Sequence, residues 1–387
     1  MLTVNGRTRL SRIRWHSASE GSTTPLDKWV DVAEATVSLG VREMACRLNG
    51  DSKNFDKAAT NLARTAQVSA SGEMLRLLIE REGRQVLQAQ RAGTVAVGWT
   101  ASDCQTESGV TRVYMGSDGV MVPLVTDTEK KKRRQKVKQK RRQRGRQCRP
   151  LPAAKRGADQ KYKEFKIVAY YDETQEHRLV EGTRGDCKVA GRLMRRQASR
   201  IRLDLANEKI GNVDGSSWIR NQVERQGLPL DELGLDFYHL AENVHKARRL
   251  VYGEESGEAD EEKKGPGYQW AGDVLHTFKH EGYQAGWEKL LTWRTSLRGH
   301  AKRRAADTLL NYVSERHDMI LYPEFEAKGW QIGSGPTEAT CKTLTARLKG
   351  SGMRWESNNG EALMALEALS QSGQWKLYWQ TRLRPTG

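Results

Sequence analysis

Apolar and polar positions follow different rhythms along the chain, and each rhythm predicts an element. Leu2-Thr-Val-Asn-Gly-Arg-Thr-Arg-Leu-Ser-Arg-Ile-Arg-Trp15 alternates around an Asn-Gly turn and predicts a small hairpin. The Ser/Gly-rich segment Ser17–Thr24 predicts a loop, and together these make an N-terminal piece, 1–24. From Pro25 to about Arg91 the period is helical, defining a helical region 25–92. Within it Phe55, Ala58, Ala59, Leu62 and Ala63 mark one helix face, and Gln67-Val68-Ser69 makes a turn. Ser69 or Ser71 then caps a second helix carrying Met74, Leu75, Leu78 and Ile79. This layout fits a DNA-reading helix-turn-helix and equally an ordinary helical hairpin.

Strand patterns follow. Thr111–Pro123 is a strand running into Asp118-Gly119. Glu164–Asp172 is the clearest strand, and His177–Glu181 is its antiparallel neighbour. Cys187 to about Asn207 is a basic amphipathic helix. Lys209-Ile-Gly-Asn-Val-Asp214-Gly215 is a short strand ending in Asp-Gly, and Trp218 and Ile219 open the next helix. Leu233–Leu240 is a fifth strand-like run that carries Asp236 and His239. Three strands, helix, strand, helix, strand is the order of a ribonuclease H-like α/β core with a mixed sheet. Its first part is expected at 108–240, with a basic loop at 128–160. In such sheets functional groups gather at strand ends near topological breaks, where Asp118 and Asp214 are expected.

From Ala241 to Trp330 the pattern is helical, with core-facing Trp270, Trp287, Leu290, Leu291, Trp293, Leu309 and Leu310. This predicts an all-helical insertion, 241–330, containing the acidic loop Glu254–Glu262. The core then resumes over 331–387. Gly333-Ser-Gly-Pro-Thr-Glu338 breaks the chain and starts a helix, with Pro336 where the first turn begins and Glu338 near the positive end of the dipole. Lys342 and Lys349 share the face of Glu338. Such a face suits a metal ion set against a phosphate backbone, and it also suits an exposed i,i+4 ion pair. A last helix is expected from Asn358, with Glu361 completing a capping box and Leu363, Leu366 and Leu369 buried. No repeats occur.

Charge sharpens this picture. The 387 residues carry a formal net charge of +17, which points to a polyanionic partner. Thirteen of those charges lie between Lys130 and Arg149 without a single acid, leaving +4 elsewhere. Lys130, Lys131, Lys132, Arg133, Arg134, Lys136, Lys138, Lys140, Arg141 and Arg142 are candidate phosphate contacts, acting through counterion release. A run that buries nothing predicts a mobile loop, and a solvated or localisation-type tail is the plainer reading. Cys46, Cys104, Cys148, Cys187 and Cys341 show no C-x-x-C spacing, so no zinc ribbon is read and a reducing cytoplasm is expected. No apolar run approaches a membrane span.

Asp118, Asp214 and Glu338 would suffice for two-metal phosphodiester chemistry if they converge, because magnesium takes hard oxygen ligands and keeps several waters. His239 is either a core histidine or a contact to the scissile phosphate or to Asp214.

Val113-Tyr-Met-Gly-Ser-Asp-Gly-Val-Met-Val-Pro123, Val213-Asp-Gly-Ser-Ser-Trp-Ile-Arg220, Leu235-Asp-Phe-Tyr-His239, and Ile332-Gly-Ser-Gly-Pro-Thr-Glu338 through Arg347-Leu-Lys-Gly-Ser-Gly-Met-Arg-Trp355 resemble the ISKra-type transposases of bacterial insertion sequences. The D-x-x-H of Asp236 and His239 is similar to a motif of the wider Mutator-like group. The resemblance runs from about residue 25 to the C-terminus. It implies a DDE transposase with a ribonuclease H-like core and a helical insertion before the Glu. Asp118, Asp214 and Glu338 would be its metal-binding triad, holding two Mg2+ or Mn2+ ions. His239 is carried beside them as a catalytic candidate, and Lys342, Arg347 and Lys349 as DNA contacts. The implied partners are terminal inverted repeats and target DNA, met by a dimer or larger assembly in the nucleoid. The region 14–21 departs from the family in lacking the cysteines of a zinc-ribbon-like segment, and the chain opens directly on a strand-like piece. The rival expectations are a non-catalytic DNA-binding protein derived from a transposase, and a nuclease without strand transfer.

Overall fold

The computed structural model describes residues 1–25, 36–145, 150–253 and 265–383. Two small hairpins open the chain. β1 (Leu2–Thr3) and β2 (Gly6–Arg7) flank the expected Asn-Gly turn. β3 (Trp15–Ser17) and β4 (Gly21–Thr23) form a second hairpin inside the segment expected to be a loop. Helices α1 (Leu39–Gly50), α2 (Phe55–Ala66) and α3 (Gly72–Ala92) follow. Asn54 caps α2, Gln67 ends it in the left-handed region, and Ser71 caps α3 by accepting from the Met74 N–H at 3.1 Å.

β5 (Arg112–Pro123) leads into α4 (Asp127–Gln143), then β6 (Tyr162–Tyr171) and β7 (Arg178–Thr183). Helix α5 (Cys187–Arg200), β8 (Glu208–Val213), α6 (Ser217–Gln226) and β9 (Glu232–Leu235) complete the sheet region. The strand order is β7-β6-β5-β8-β9. β6 is antiparallel to both β5 and β7, whereas β8 is parallel to both β5 and β9. The protein is thus a mixed α/β structure around a five-stranded mixed sheet.

Beyond the sheet lie α7 (Phe237–Tyr252), α8 (Pro266–His280), α9 (Tyr283–Ser296), α10 (His300–Ser314) and α11 (Tyr322–Ala327). α12 (Gly335–Lys349), α13 (Ser357–Gln371) and α14 (Trp375–Leu383) end the chain. Among the described residues no helix is long and apolar enough to cross a membrane.

Period-two alternation splits the sheet between two cores. Val113, Met115, Val168 and Tyr170 belong to the core shared with α5 and α7–α10. Tyr114, Ile167, Ala169 and Tyr171 belong to the core under α12 and α13. A third core joins α1–α3 to Ala365, Leu366 and Leu369 of α13 and to Tyr378 and Trp379 of α14. A methyl at Gly83 of α3 would meet the backbone of Ala362, so these two helices touch closely. The helical region that opens the chain is therefore built onto its end.

Four expectations need correction. The basic run is not a loop through residue 143 but helix α4, although none of its residues is buried. Lys, Arg and Gln have good helix propensity, Thr126 caps the first turn, and Asp127 and Glu129 sit at its positive end. Residues 146–149 of that run, and the acidic segment 254–264, lie outside the described residues, as does 26–35 of the N-terminal helical region. Asp118 lies inside β5, not at its end, because Gly119 and the next four residues keep pairing with β6. The run 233–240 is a strand only to Leu235; Asp236 then caps α7 and His239 falls in its first turn. Finally, α13 is capped by Glu356, whose carboxylate accepts from the Asn358 and Asn359 N–H groups. Glu361 is instead buried against Arg91 and Arg184. Leu363, Leu366 and Leu369 are buried as expected.

Candidate active site

β5 outruns its parallel neighbour. It pairs with β8 only from Arg112–Glu208 to Met115–Gly211, and β8 stops at Val213. Continuing this register by three residues brings Asp118 level with Asp214, where β8 leaves the sheet. Asp214 is locked in a local turn, its two oxygens accepting the Ser216 N–H at 2.8 Å and the Ser216 hydroxyl at 2.7 Å. Gly215 adopts φ 77°, a left-handed conformation that favours glycine, and its carbonyl accepts from Arg316 at 3.0 Å.

Glu338 reaches the same place from α12. Gly116 makes this possible: it shares the face of Asp118, and any methyl there would collide with Thr337. The helix N-terminus can therefore sit directly on the strand, one residue before Glu338. The oxygens of Glu338 lie 3.9 Å from His239 Nε2 and 3.6 Å from Lys342 Nζ.

His239 and Glu338 are held together by a residue that sequence reasoning misplaced. Asp236 is fully buried. One of its oxygens accepts the Tyr238 N–H at 2.6 Å and the His239 N–H at 3.3 Å, capping α7. The other accepts the Ser334 N–H at 2.6 Å and the Ser334 hydroxyl, fixing the start of α12. Ligating atoms of Asp236, His239 and Glu338 all lie within 4.8 Å of one another. Asp236 ties the start of α7 to the start of α12, one oxygen to each, and so positions His239 and Glu338. An Asp just ahead of a helical period was the available sign of this cap.

The electrostatics tie the groups together. Burial raises the Asp118 carboxyl above its ordinary range, and the neighbouring charges of Asp214 and Glu338 push it the same way. The Gly119 N–H, 2.5 Å from Asp118 Oδ1, and His239 act in the opposite sense. Asp118 thus feels Asp214, Glu338 and His239 together. Cys341, buried one turn after Glu338, is pushed far above the usual thiol range by burial and by the adjacent Asp118 carboxyl. Nothing in the sequence marked this thiol as part of the site.

The candidate DNA contacts divide. Lys131, Lys132, Lys136, Lys138, Lys140 and Arg142 are exposed on α4. Lys130 and Arg134 anchor the helix, donating to the carbonyls of Arg156 at 3.0 Å and Leu151 at 3.2 Å. Arg133 pairs with Glu129 at 3.0 Å, and Arg141 is partly exposed. Lys342 and Lys349 are exposed on α12. Arg347 is half-buried, its guanidinium 4.9 Å from the Phe55 ring centre and 5.1 Å from that of Trp355. Burial lowers its pKa to about 10. The helix-turn-helix candidate has its second helix, α3, packed along α13.

No family model matches the sequence, and no curated protein matches it. Among solved structures, the Drosophila P element transposase strand transfer complex is similar over 84% of this chain and 85% of its own. That match has 9% identity and a TM-score of 0.20, a likeness too slight to bear on fold or function.

Proposed function

We propose that this chain is a DNA transposase of the DDE type, with a ribonuclease H-like catalytic core, as in the ISKra-type insertion sequences its motifs resemble. It cuts element ends and joins the freed 3′-hydroxyls to target DNA. The observation that carries the reading is that Asp118 lies within electrostatic reach of Asp214, Glu338 and His239 where β8 leaves β5. The strand order and the mixed pairing support the same core.

The donor set fits hard divalent cations. Asp118, Asp214 and Glu338 offer only oxygens, and all three are partly exposed, as a hydrated magnesium or manganese ion requires. Two Mg2+ or Mn2+ ions, when bound, would supply an activated water or hydroxyl and stabilise the leaving oxygen. Asp118 and Asp214 hold the sheet side of that site and Glu338 the helix side. His239, with Nε2 turned to Glu338, can donate to a phosphate oxygen there. The cations of α4, with Lys342 and Lys349, bind the DNA backbone and orient it across the cleft. Strand transfer needs two ends in one complex, so the working form is a dimer or larger assembly on DNA, in the nucleoid.

The test is cleavage and strand transfer on the DNA flanking this gene, with Mg2+ or Mn2+, comparing wild type with Glu338→Gln. Metal-dependent products from wild type alone are expected. Products from both proteins would remove Glu338 from the triad. Salt-sensitive binding by a folded protein without any product would leave a DNA-binding relic, and cleavage without joining would leave a nuclease.

A further inference from the structure

A second group of metal-binding side chains lies at the other end of the sheet. Asp172 follows β6, and His177 immediately precedes β7. Ile167, the β6 partner of Asp118, is five residues away from Asp172, about 16–17 Å along an extended strand. The β6–β7 turn brings Asp172 and His177 together: the Asp172 N–H donates to the His177 carbonyl at 3.1 Å, and Gln175 takes φ 63° between them. Cys104 arrives from a separate segment, after the 3-10 turn Ala101–Asp103, held by the Arg112 N–H donating to its carbonyl at 2.9 Å. Ligating atoms of Cys104, Asp172 and His177 lie within 4.8 Å of one another.

We propose that Cys104, Asp172 and His177 form a binding site for a zinc-class ion that staples the segment before β5 to the β6–β7 turn. One sulfur, one imidazole nitrogen and one carboxylate oxygen suit zinc rather than magnesium. His177 Nδ1 and Asp172 Oδ2 stand 2.9 Å apart, near the roughly 3.3 Å edge of a tetrahedron with ~2.0–2.1 Å bonds. Asp172 is buried; its Oδ2 faces His177 Nδ1 at 2.9 Å and accepts the Thr174 hydroxyl at 3.1 Å, its Oδ1 accepts the His177 N–H at 3.3 Å, and an ion would take the place of the proton between Oδ2 and the imidazole. Cys104 is buried, and among the described residues its sulfur has a long contact, 3.9 Å, to the Thr100 carbonyl. Trp99 packs with its ring centre 5.6 Å from that of His177 and shields one side of the cluster. His177 remains partly exposed, which leaves a fourth position open to water. On binding, the Cys104 S–H bond breaks, its electron pair goes to the metal and the proton to solvent.

The experiment strips the full chain with a chelator, titrates Zn2+ against a chromophoric competitor, and adds Co2+ for spectroscopy. One tight zinc equivalent is expected, with a thiolate-to-cobalt charge-transfer band and a zinc-dependent rise in Tm. All three are lost in Cys104→Ser and in His177→Ala, and kept in Glu338→Gln. A band that survives Cys104→Ser would assign the metal to another thiol, such as Cys341 beside Asp118, and overturn the site. Absence of any thiolate band, or zinc binding unchanged in His177→Ala, would do the same. His177 sits in a surface turn, so that variant decides the matter even if Cys104→Ser fails to fold.

Discussion

Helices α3 and α4 are both long and both heavily charged, yet their charges have opposite fates. In α3, Glu82 is fully buried between Arg42 at 3.0 Å and Arg382 at 2.5 Å. Arg76 is held by Glu73 at 2.7 Å and Glu80 at 2.9 Å, and Arg91 reaches Glu361 of α13 at 2.8 Å. In α4, ten lysines and arginines from Lys130 to Arg142 share their helix with only two acids, Asp127 and Glu129, and none of its residues is buried. Charges answered within the chain build the fold. Charges facing water are solvated and screened, and they are the ones a polyanion can reach. The cleft repeats the second case with the sign reversed, since Asp118 is raised by burial and by two further acids.

The largest test of this contrast removes an answered charge. Glu82→Ala leaves buried Arg42 and partly exposed Arg382 without their shared carboxylate, and should cost about 3–5 kcal/mol, as breaking a buried pair from one side does. Urea unfolding followed by tryptophan fluorescence measures it. A loss under 1 kcal/mol would mean the pair is dispensable and the contrast with α4 is false.

Next comes the unanswered helix. Changing Lys131, Lys132, Lys136, Lys138, Lys140 and Arg142 together to Gln should leave stability within about 0.5 kcal/mol, because none of these exposed residues packs on a core. Duplex DNA affinity should fall about a hundredfold near 0.15 M salt, and the log–log salt slope should become less negative by about 5 if all six touch phosphates. An unchanged slope would take α4 out of the DNA interface.

These two helices also show how far the sequence could be read. Alternation located β5, β6, β7 and β8, because each of these strands has one face in each of two cores, whereas β9 packs on one core only and its end was not visible. The cap at Ser71 was visible for a different reason: helix starts demand few residue types, and serine is one of them. Helix α4 was missed because burial was taken as the only source of order, whereas propensity and a charged first turn also contribute. Asp236 and His239 were placed in a strand because the apolar run Leu233–Leu240 hides the cap within it. The meeting of Asp118, Asp214 and Glu338 follows from strand register and from the bare face of Gly116, and chain separation carries neither. The motif resemblance named these three acids, but their nearness to Cys341 and the double cap at Asp236 emerge only from packing.

The smallest effect tests the cleft alone. Asp118 has its folded-state pKa raised, mainly by burial. A carboxyl so raised is neutral in both folded and unfolded chains below the unfolded value and costs nothing there. As pH climbs through the folded value the buried charge must form, and its cost to the fold is fully present at neutral pH. Asp118→Asn should therefore raise the Tm of the metal-free protein at pH 7 by a small amount, and that gain should shrink as pH falls below the ordinary carboxylate range. Adding Mg2+ or Mn2+ should reverse the ranking, because wild type gains stability from the ion and the variant gains less. Thermal scans at two pH values, with chelator and with metal, supply all the comparisons. If Asp118→Asn is less stable than wild type in chelator, the carboxylate is answered inside the chain, and Asp118 belongs with Glu82 rather than with α4.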